Sequence, residues 1–232
     1  MIDYLTHNKD WLTLVVSIVV GVATVIATCV NAYLVYKQNE IYKEQTVLQV
    51  RQNQPVFSIS KQFEQDLDDG KYGTEIFTIR NVGHTMSQPC EVKVSVFFKI
   101  TKTKGAQRDS LYFPIEDYFN MASNGNTGDD EVYYAKGSGS NRKYSDIYYA
   151  AIEASKETKP DSYYFIDKFI LTKIEYSDIF DRKHVRFFMD KGEISKESYD
   201  KIVTQGYNDY RYNSLMNISF SAIKNVVDNI QK

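Results

Sequence analysis

The sequence predicts an N-terminal transmembrane α-helix followed by a mainly-β antiparallel sandwich with C-terminal helices. Three observations carry this. Residues 12–36 form an apolar run without a charge. At Pro55 the hydrophobic period changes from helical to alternating. After Ser195 the spacing becomes helical again.

The run Leu12 to Tyr36 reads LTLVVSIVVGVATVIATCVNAYLVY. At ~1.5 Å per residue it reaches roughly 37 Å as a helix, enough to cross a hydrocarbon core of about 30 Å with some tilt. Trp11 at one end and Tyr33 and Tyr36 at the other occupy the places of interfacial aromatics. A lipid bilayer is therefore the first expected partner. Lys9 precedes the run, whereas Lys37, Lys43 and Arg51 follow it, so the positive-inside tendency puts the C-terminal domain in the cytoplasm, at the cell (inner) membrane. Two other readings fit less well. A cleaved signal peptide wants a basic start and a shorter apolar core than this chain has. Ile26-Ala27-Thr28-Cys29 faintly matches a lipoprotein cleavage box, but the apolar run continues past Cys29.

Within the run, Ser17, Gly21, Thr24, Thr28 and Asn31 recur at spacings of 4, 3, 4 and 3. Small residues let helices approach in lipid, and Thr or Asn side chains hydrogen-bond between them, so this seam predicts a homo-oligomer. A polar pore is the stronger version; ordinary Ser and Thr bonded to their own backbone is the plainer one. Residues 37–54 are helix-permissive and extend the helix into water. There Leu34, Ile41 and Leu48 repeat every seven residues, but the companion positions Glu44 and Arg51 are polar, and a long coiled coil is not inferred.

From Pro55 the pattern is that of strands. Phe57 and Ile59 alternate with serines, a turn falls at Asp66 to Gly70, and Thr74 to Val82 is strand-like. The clearest strand is Glu91 to Ile100, with Val92, Val94, Val96, Phe98 and Ile100 on one face. Short strands are expected at Ser110 to Ile115 and Glu131 to Ala135, with loops at Asn124 to Asp130 and Gly137 to Asn141. Ser145 to Lys156 reads as a helix with Ser145 as its cap. A long strand from Tyr163 to Tyr176 turns at Ser177 to Asp181 into a strand carrying Val185, Phe187 and Met189. Around seven strands with turn signals suit an immunoglobulin-like arrangement with an inserted helix. Helices are expected at Ser195 to Gln205 and Asn213 to Ile230, the latter with a stripe of Leu215, Ile218, Ala222, Val226 and Ile230. The expected organisation is a short tail at 1–11, the transmembrane helix at 12–36, a juxtamembrane helix at 37–54, the sandwich at 55–191 and a C-terminal helical segment at 192–232.

The elements Pro55-x-Phe57-x-Ile59, Ile79-Arg80-Asn81-Val82-Gly83, Val92-x-Val94-x-Val96, and Ile174-x-Tyr176-x-Asp178 with Arg182-x-x-Val185-x-Phe187 resemble those of bacterial membrane-anchored immunoglobulin-like domain proteins of unknown function. The resemblance covers roughly residues 10 to 190; it implies a sandwich and carries no catalytic residue. The plan of membrane helix plus small cytosolic β domain is also similar to that of membrane effectors of bacterial antiviral defence, in which a cytosolic domain senses a signal, often a nucleotide, and the membrane part disrupts the bilayer. That likeness is one of architecture.

Composition bounds the chemistry. With a net charge of −2 the chain has no field that would draw long nucleic acid. Its 19 Tyr and 13 Phe suffice for a buried core and exclude a disordered chain. Cys29 lies in the apolar run and Cys90 far beyond it, so no disulfide is expected, which fits a reducing compartment. His7, His84 and His184 lack partners at metal-ligand spacing, and no phosphate loop, nucleophile elbow or dinucleotide fingerprint is present, so no metal, cofactor or catalytic residue is expected and the chain reads as a non-enzyme. Asp178 and Asp181 are three apart in a turn, where Asp most often caps its own backbone. Lys173, Tyr176, Arg182, Arg186 and Phe188 form the candidate ligand-binding group. Lys173, Arg186 and Phe188 are expected to share a strand face on which an anionic small molecule, such as a nucleotide, or a protein partner would bind by charge and stacking. The function expected is that of a sensing or interaction protein acting through oligomerisation, with a passive envelope scaffold as the alternative.

Overall fold

The computed structural model describes residues 9–52, 54–65, 70–125, 130–157, 162–207 and 209–230. His7, the first residues of the expected N-terminal tail, residues 66–69 of the expected turn and residues 126–129 of the expected loop lie outside them. The chain forms two compact units, residues 1–52 and 53–232.

The first unit is one helix, α1 (Lys9–Gln52). The expected transmembrane and juxtamembrane helices are thus continuous, because nothing between Gly21 and Pro55 interrupts helical backbone, and the residue before a proline is driven out of it. At ~1.5 Å per residue the rod is about 66 Å long. Its segment Asp10–Thr46 is long and apolar enough to cross a membrane, and none of the apolar window is buried within the chain. The hydroxyls of Thr24, Thr28 and Thr46 donate to carbonyls one turn back, each at 2.8 Å.

The second unit begins with β1 (Phe57–Glu64), β2 (Thr74–Asn81), β3 (Glu91–Lys104), β4 (Gln107–Ile115), β5 (Met121–Asn124) and β6 (Glu131–Gly137). Helix α2 (Ser140–Glu157) then leads to β7 (Ser162–Ser177), β8 (Lys183–Met189) and β9 (Gly192–Ile194). Helix α3 (Lys196–Thr204), a 3-10 turn at Tyr210–Tyr212 and helix α4 (Phe220–Ile230) follow. The strands make two antiparallel sheets, ordered β1-β2-β6-β5 and β4-β3-β7-β8-β9.

The inner faces of the two sheets meet in one core. Phe77 and Ile79 of β2 and Val132 of β6 lie in the same cluster as Phe98 and Ile100 of β3 and Ile166, Ile170 and Ile174 of β7. The alternation read in β3 holds: Val92, Val96, Phe98 and Ile100 are buried on that face. A smaller core covers the opposite face of the larger sheet, where Phe97, Phe169, Leu171 and Phe187 pack under Tyr199 of α3. Helix α3 begins where expected, Ser195 capping it by accepting from the Ser198 N–H at 3.2 Å.

Two helix boundaries differ from the expectation. Helix α2 starts at Ser140, so Ser140 and Asn141, read as loop, are its first turn, and Ser145 lies inside it. Tertiary partners supply the cap that local sequence lacks: the Asn141 and Arg142 N–H groups donate to the Gly73 carbonyl, and the Ser140 hydroxyl donates to the Tyr118 carbonyl at 2.6 Å. Helix α4 starts at Phe220 instead of Asn213. Asp117 holds the preceding turn, accepting from the Ser214 hydroxyl at 2.7 Å and the Leu215 N–H at 2.5 Å. Its buried face is accordingly Ile223, Val226 and Val227, with Ala222 only half-buried. Strands β5 and β9, of four and three residues, carry too little pattern to be read.

Candidate functional site

The outer face of the larger sheet holds a groove of about 510 Å³ between β3, β4 and α3. Alternation along β3 turns Lys93, Ser95 and Phe97 to this face, because Val92, Val96 and Phe98 fill the inner one. Phe97 forms the floor, stacked on Phe169 with centroids 5.6 Å apart, and Phe187 holds Tyr199 at 4.8 Å, which docks α3 as one wall. Pro114, Val203, Glu116 and Asn213 complete the lining. Burial raises the pKa of the Tyr199 hydroxyl, although Lys173 opposes the shift.

Charge on this face is arranged in opposed pairs. Lys93 lies directly across from Lys173, and Glu91 across from Glu175. Like charges so placed repel. Lys173 is relieved by an ion pair with Glu175 two residues along its own strand. Lys93, at the groove, makes no ion pair among the described residues. An ammonium without an ion pair, in a cleft of this size whose lining includes two aromatic residues, can hold an anionic group by charge while the apolar lining takes up an apolar or planar portion.

The five residues singled out from sequence do not form one site. The β7–β8 register pairs Lys173 with Phe187, Ile174 with Arg186 and Tyr176 with His184. Lys173 therefore lies on the outer face, while Tyr176, Arg186 and Phe188 lie on the inner one; the expected sharing of a face by Lys173, Arg186 and Phe188 is corrected by this register. Phe188 is buried in the main core. Tyr176 is buried between Phe57 and His184, with ring centroids 5.2 Å away on each side. Burial raises the pKa of the Tyr176 hydroxyl while the Arg186 guanidinium opposes the shift, and Arg186 reaches Gln54 at 3.5 Å and Glu193 at 3.8 Å. Arg182 stands 3.4 Å from Asp178 and covers the Phe180 ring at 4.9 Å.

Asp178 is the organiser of this end of the sheet. Its Oδ1 accepts the N–H groups of Phe180 and Arg182 at 2.8 and 3.0 Å, the turn-capping role expected for it. Its Oδ2 stands 2.9 Å from His184 Nε2. Burial works to raise the carboxyl pKa, but the bonds from His184, Arg182 and Phe180 and the Arg182 guanidinium together hold it below the ordinary value. His184 is half-buried against Tyr176. Pro89, Glu91, Glu175, Lys183 and His184 border a smaller cleft of about 250 Å³ here.

Sequence reasoning missed a third cluster, buried between the sheets. Lys168 of β7 forms an ion pair with Glu75 of β2. The Tyr118 hydroxyl donates to the same Glu75 oxygen at 2.5 Å, and Lys168 Nζ also reaches Asn141 Oδ1 at 3.2 Å. The Tyr118 and Tyr144 rings flank the ammonium at 4.9 Å each. Burial lowers the Lys168 pKa despite the opposing Glu75 charge. It pushes the Tyr118 hydroxyl well above its ordinary value and that of Tyr144 up to about 12. Glu75 and Lys168 each stand among other polar residues of their strands, so the sequence neither singles them out nor says that they meet.

On α1, Ser17, Gly21, Thr24, Thr28 and Asn31 are all exposed and fall within an arc of about 80° at ~100° per residue. The Thr24 and Thr28 hydroxyls serve their own helix, as in the plainer reading of that seam, while Asn31 makes no hydrogen bond among the described residues. Among the described residues no cluster of three His, Cys, Asp or Glu side chains could hold a metal ion. No protein-family model, curated protein or solved structure matches the chain.

Proposed function

We propose that this chain is a single-pass, membrane-anchored sensing or interaction protein. Helix α1 spans a cell membrane, and the β unit, in the cytoplasm, binds an anionic ligand or a partner in the Lys93 groove and acts by bringing copies together. The observation that carries the reading is α1 itself: an uncharged run of about 25 residues that no part of the chain covers, joined to a separately compact β unit. The β unit is read as immunoglobulin-like. Its strand order supports this, since β1-β2-β6-β5 and β4-β3-β7-β8 follow the A-B-E-D and C′-C-F-G orders of such sandwiches, with α2 inserted before the seventh of those strands and β9 added at the edge.

The test uses the full chain. After carbonate washing of membranes it is expected in the pellet, and recovery in the supernatant without detergent refutes the anchor. In detergent, nucleoside polyphosphates are expected to raise the melting temperature of the wild type and not of Lys93→Glu; equal shifts in both refute the groove. The membrane-disrupting form of this reading expects dye entry into cells that express the wild type. One observation favours a second reading, a passive scaffold: Lys173, Arg182 and Arg186 already have carboxylate neighbours within the chain. A scaffold is expected to yield a stable protein partner on pull-down and no ligand shift.

A further inference from the structure

The inference concerns α1 alone, and it rests on the membrane placement proposed above. One face of this helix is mismatched to its surroundings along its whole length. In the apolar run, Ser17, Thr24 and Asn31 form a polar line among side chains suited to lipid. An apolar line that starts at Leu34 continues past Tyr36, where polar residues predominate, as Ile41 and Leu48, each more than half exposed. Lipid does not suit the first line, and water does not suit the second.

The two lines belong to one heptad frame. Spacing by seven continues Ser17, Thr24 and Asn31 into Gln38 and Gln45, all polar and uncharged. Three residues after each stand Val20, Ala27, Leu34, Ile41 and Leu48, all apolar. These are the a and d positions of a coiled coil, once Gln38 and Gln45, uncharged, replace Glu44 and Arg51 as the companions of Leu34, Ile41 and Leu48, and they stay in phase across the end of the apolar run. Had the boundary shifted the repeat by one residue, the second line would be turned about 100° further around the rod, out of the a/d frame. The helix is continuous there, so the phase is a property of the folded element and not only of the letters. No charge enters either line between 17 and 48; Lys37 and Glu44 flank the stripe, and Cys29, Tyr36 and Lys43 lie on the opposite side.

A carboxamide both donates and accepts, so Asn31, Gln38 and Gln45 are each satisfied by the same residue of another copy at the same height. Copies inserted in one membrane run parallel, which brings like residues level. We infer that the face Ser17 to Leu48 is covered by a second copy of this chain. The result is a parallel, in-register coil that begins in the bilayer and continues into water as one seam, with alternating layers of amide or hydroxyl and aliphatic side chains.

Disulfide trapping in native membranes tests this with the full chain. In a Cys29→Ser background, Ala27→Cys and Ile41→Cys on the seam are expected to cross-link under mild oxidation about tenfold or more faster than Tyr36→Cys, or than native Cys29, on the opposite side. Cysteines whose Cα atoms are more than about 7 Å apart are not bridged without backbone movement. Equal rates on both sides, or faster trapping at Tyr36→Cys, overturn the inference. One alanine inserted after Tyr36 is expected to abolish trapping at the former Ile41 position while sparing Ala27→Cys, and an inserted heptad is expected to restore it. Trapping at both sites that survives the single insertion overturns the continuous seam. Seam trapping without any ligand shift retains the inference and removes the ligand reading. A chain absent from the membrane pellet removes both.

Discussion

Replacing Lys168 with Met tests the link between the two sheets. Both charges of the Lys168–Glu75 pair are buried, with side-chain exposures of 8% and 0%. Lys168→Met leaves the Glu75 carboxylate in the core with the Tyr118 hydroxyl at 2.5 Å as its main remaining donor. Breaking a buried pair from one side costs about 3–5 kcal/mol, because the surviving charge has lost its compensation. For a unit of this size, at about 2–4 °C per kcal/mol, the melting temperature falls by roughly 6–20 °C. Removing both charges with a hydrophobic pair is often neutral, so Glu75→Leu combined with Lys168→Met recovers about 2 kcal/mol or more of that loss. The cycle is best run in a Tyr118→Phe background, where no buried hydroxyl is orphaned by loss of the carboxylate. The single Trp lies in α1, so the β unit is followed through near-ultraviolet circular dichroism of its tyrosines, on the full chain in detergent. A fall of less than about 2 °C for Lys168→Met, or a double variant no more stable than the worse single one, refutes the reasoning.

Two further outcomes are expected. The Asp178 carboxyl has a depressed pKa in the folded chain, so its contribution to stability is fully present above the unfolded value near 3.8 and is lost as pH falls through the folded value. Asp178→Asn therefore melts below the wild type at neutral pH, and the difference narrows in melts taken from pH 5 downward; a constant difference contradicts the assignment. At Gly137 an added Cβ would stand 2.5 Å from the Tyr118 carbonyl oxygen and 2.9 Å from Ser140 Oγ, so Gly137→Ala should cost about 1–3 kcal/mol, read as a lower urea midpoint.

Features set by neighbours along the chain were legible early. The β3 alternation, the start of α3 at Ser195 and the Asp178 turn each depend on residues within a few positions of one another. The start of α2 was not legible, because the groups that cap it come from Gly73 and Tyr118, distant in sequence. Nor was the fate of the candidate ligand residues. The β7–β8 turn pairs Ser177 with Lys183, and this register sends Lys173 outward and Arg186 inward. A turn longer or shorter by one residue would have reversed that relation.

By itself the sequence determined that one segment suits lipid, that a second alternates as half-buried strands do, and that helices close the chain. These are preferences of short segments for a solvent, and they are written in residue order. Only the tertiary structure decided that Lys168 meets Glu75, that Lys93 at the groove makes no ion pair among the described residues, and that Lys173, Arg182 and Arg186 have carboxylate neighbours. Such pairings form where the chain returns to itself from far away, and in this fold the hydrogen-bond register between strands chooses the partners.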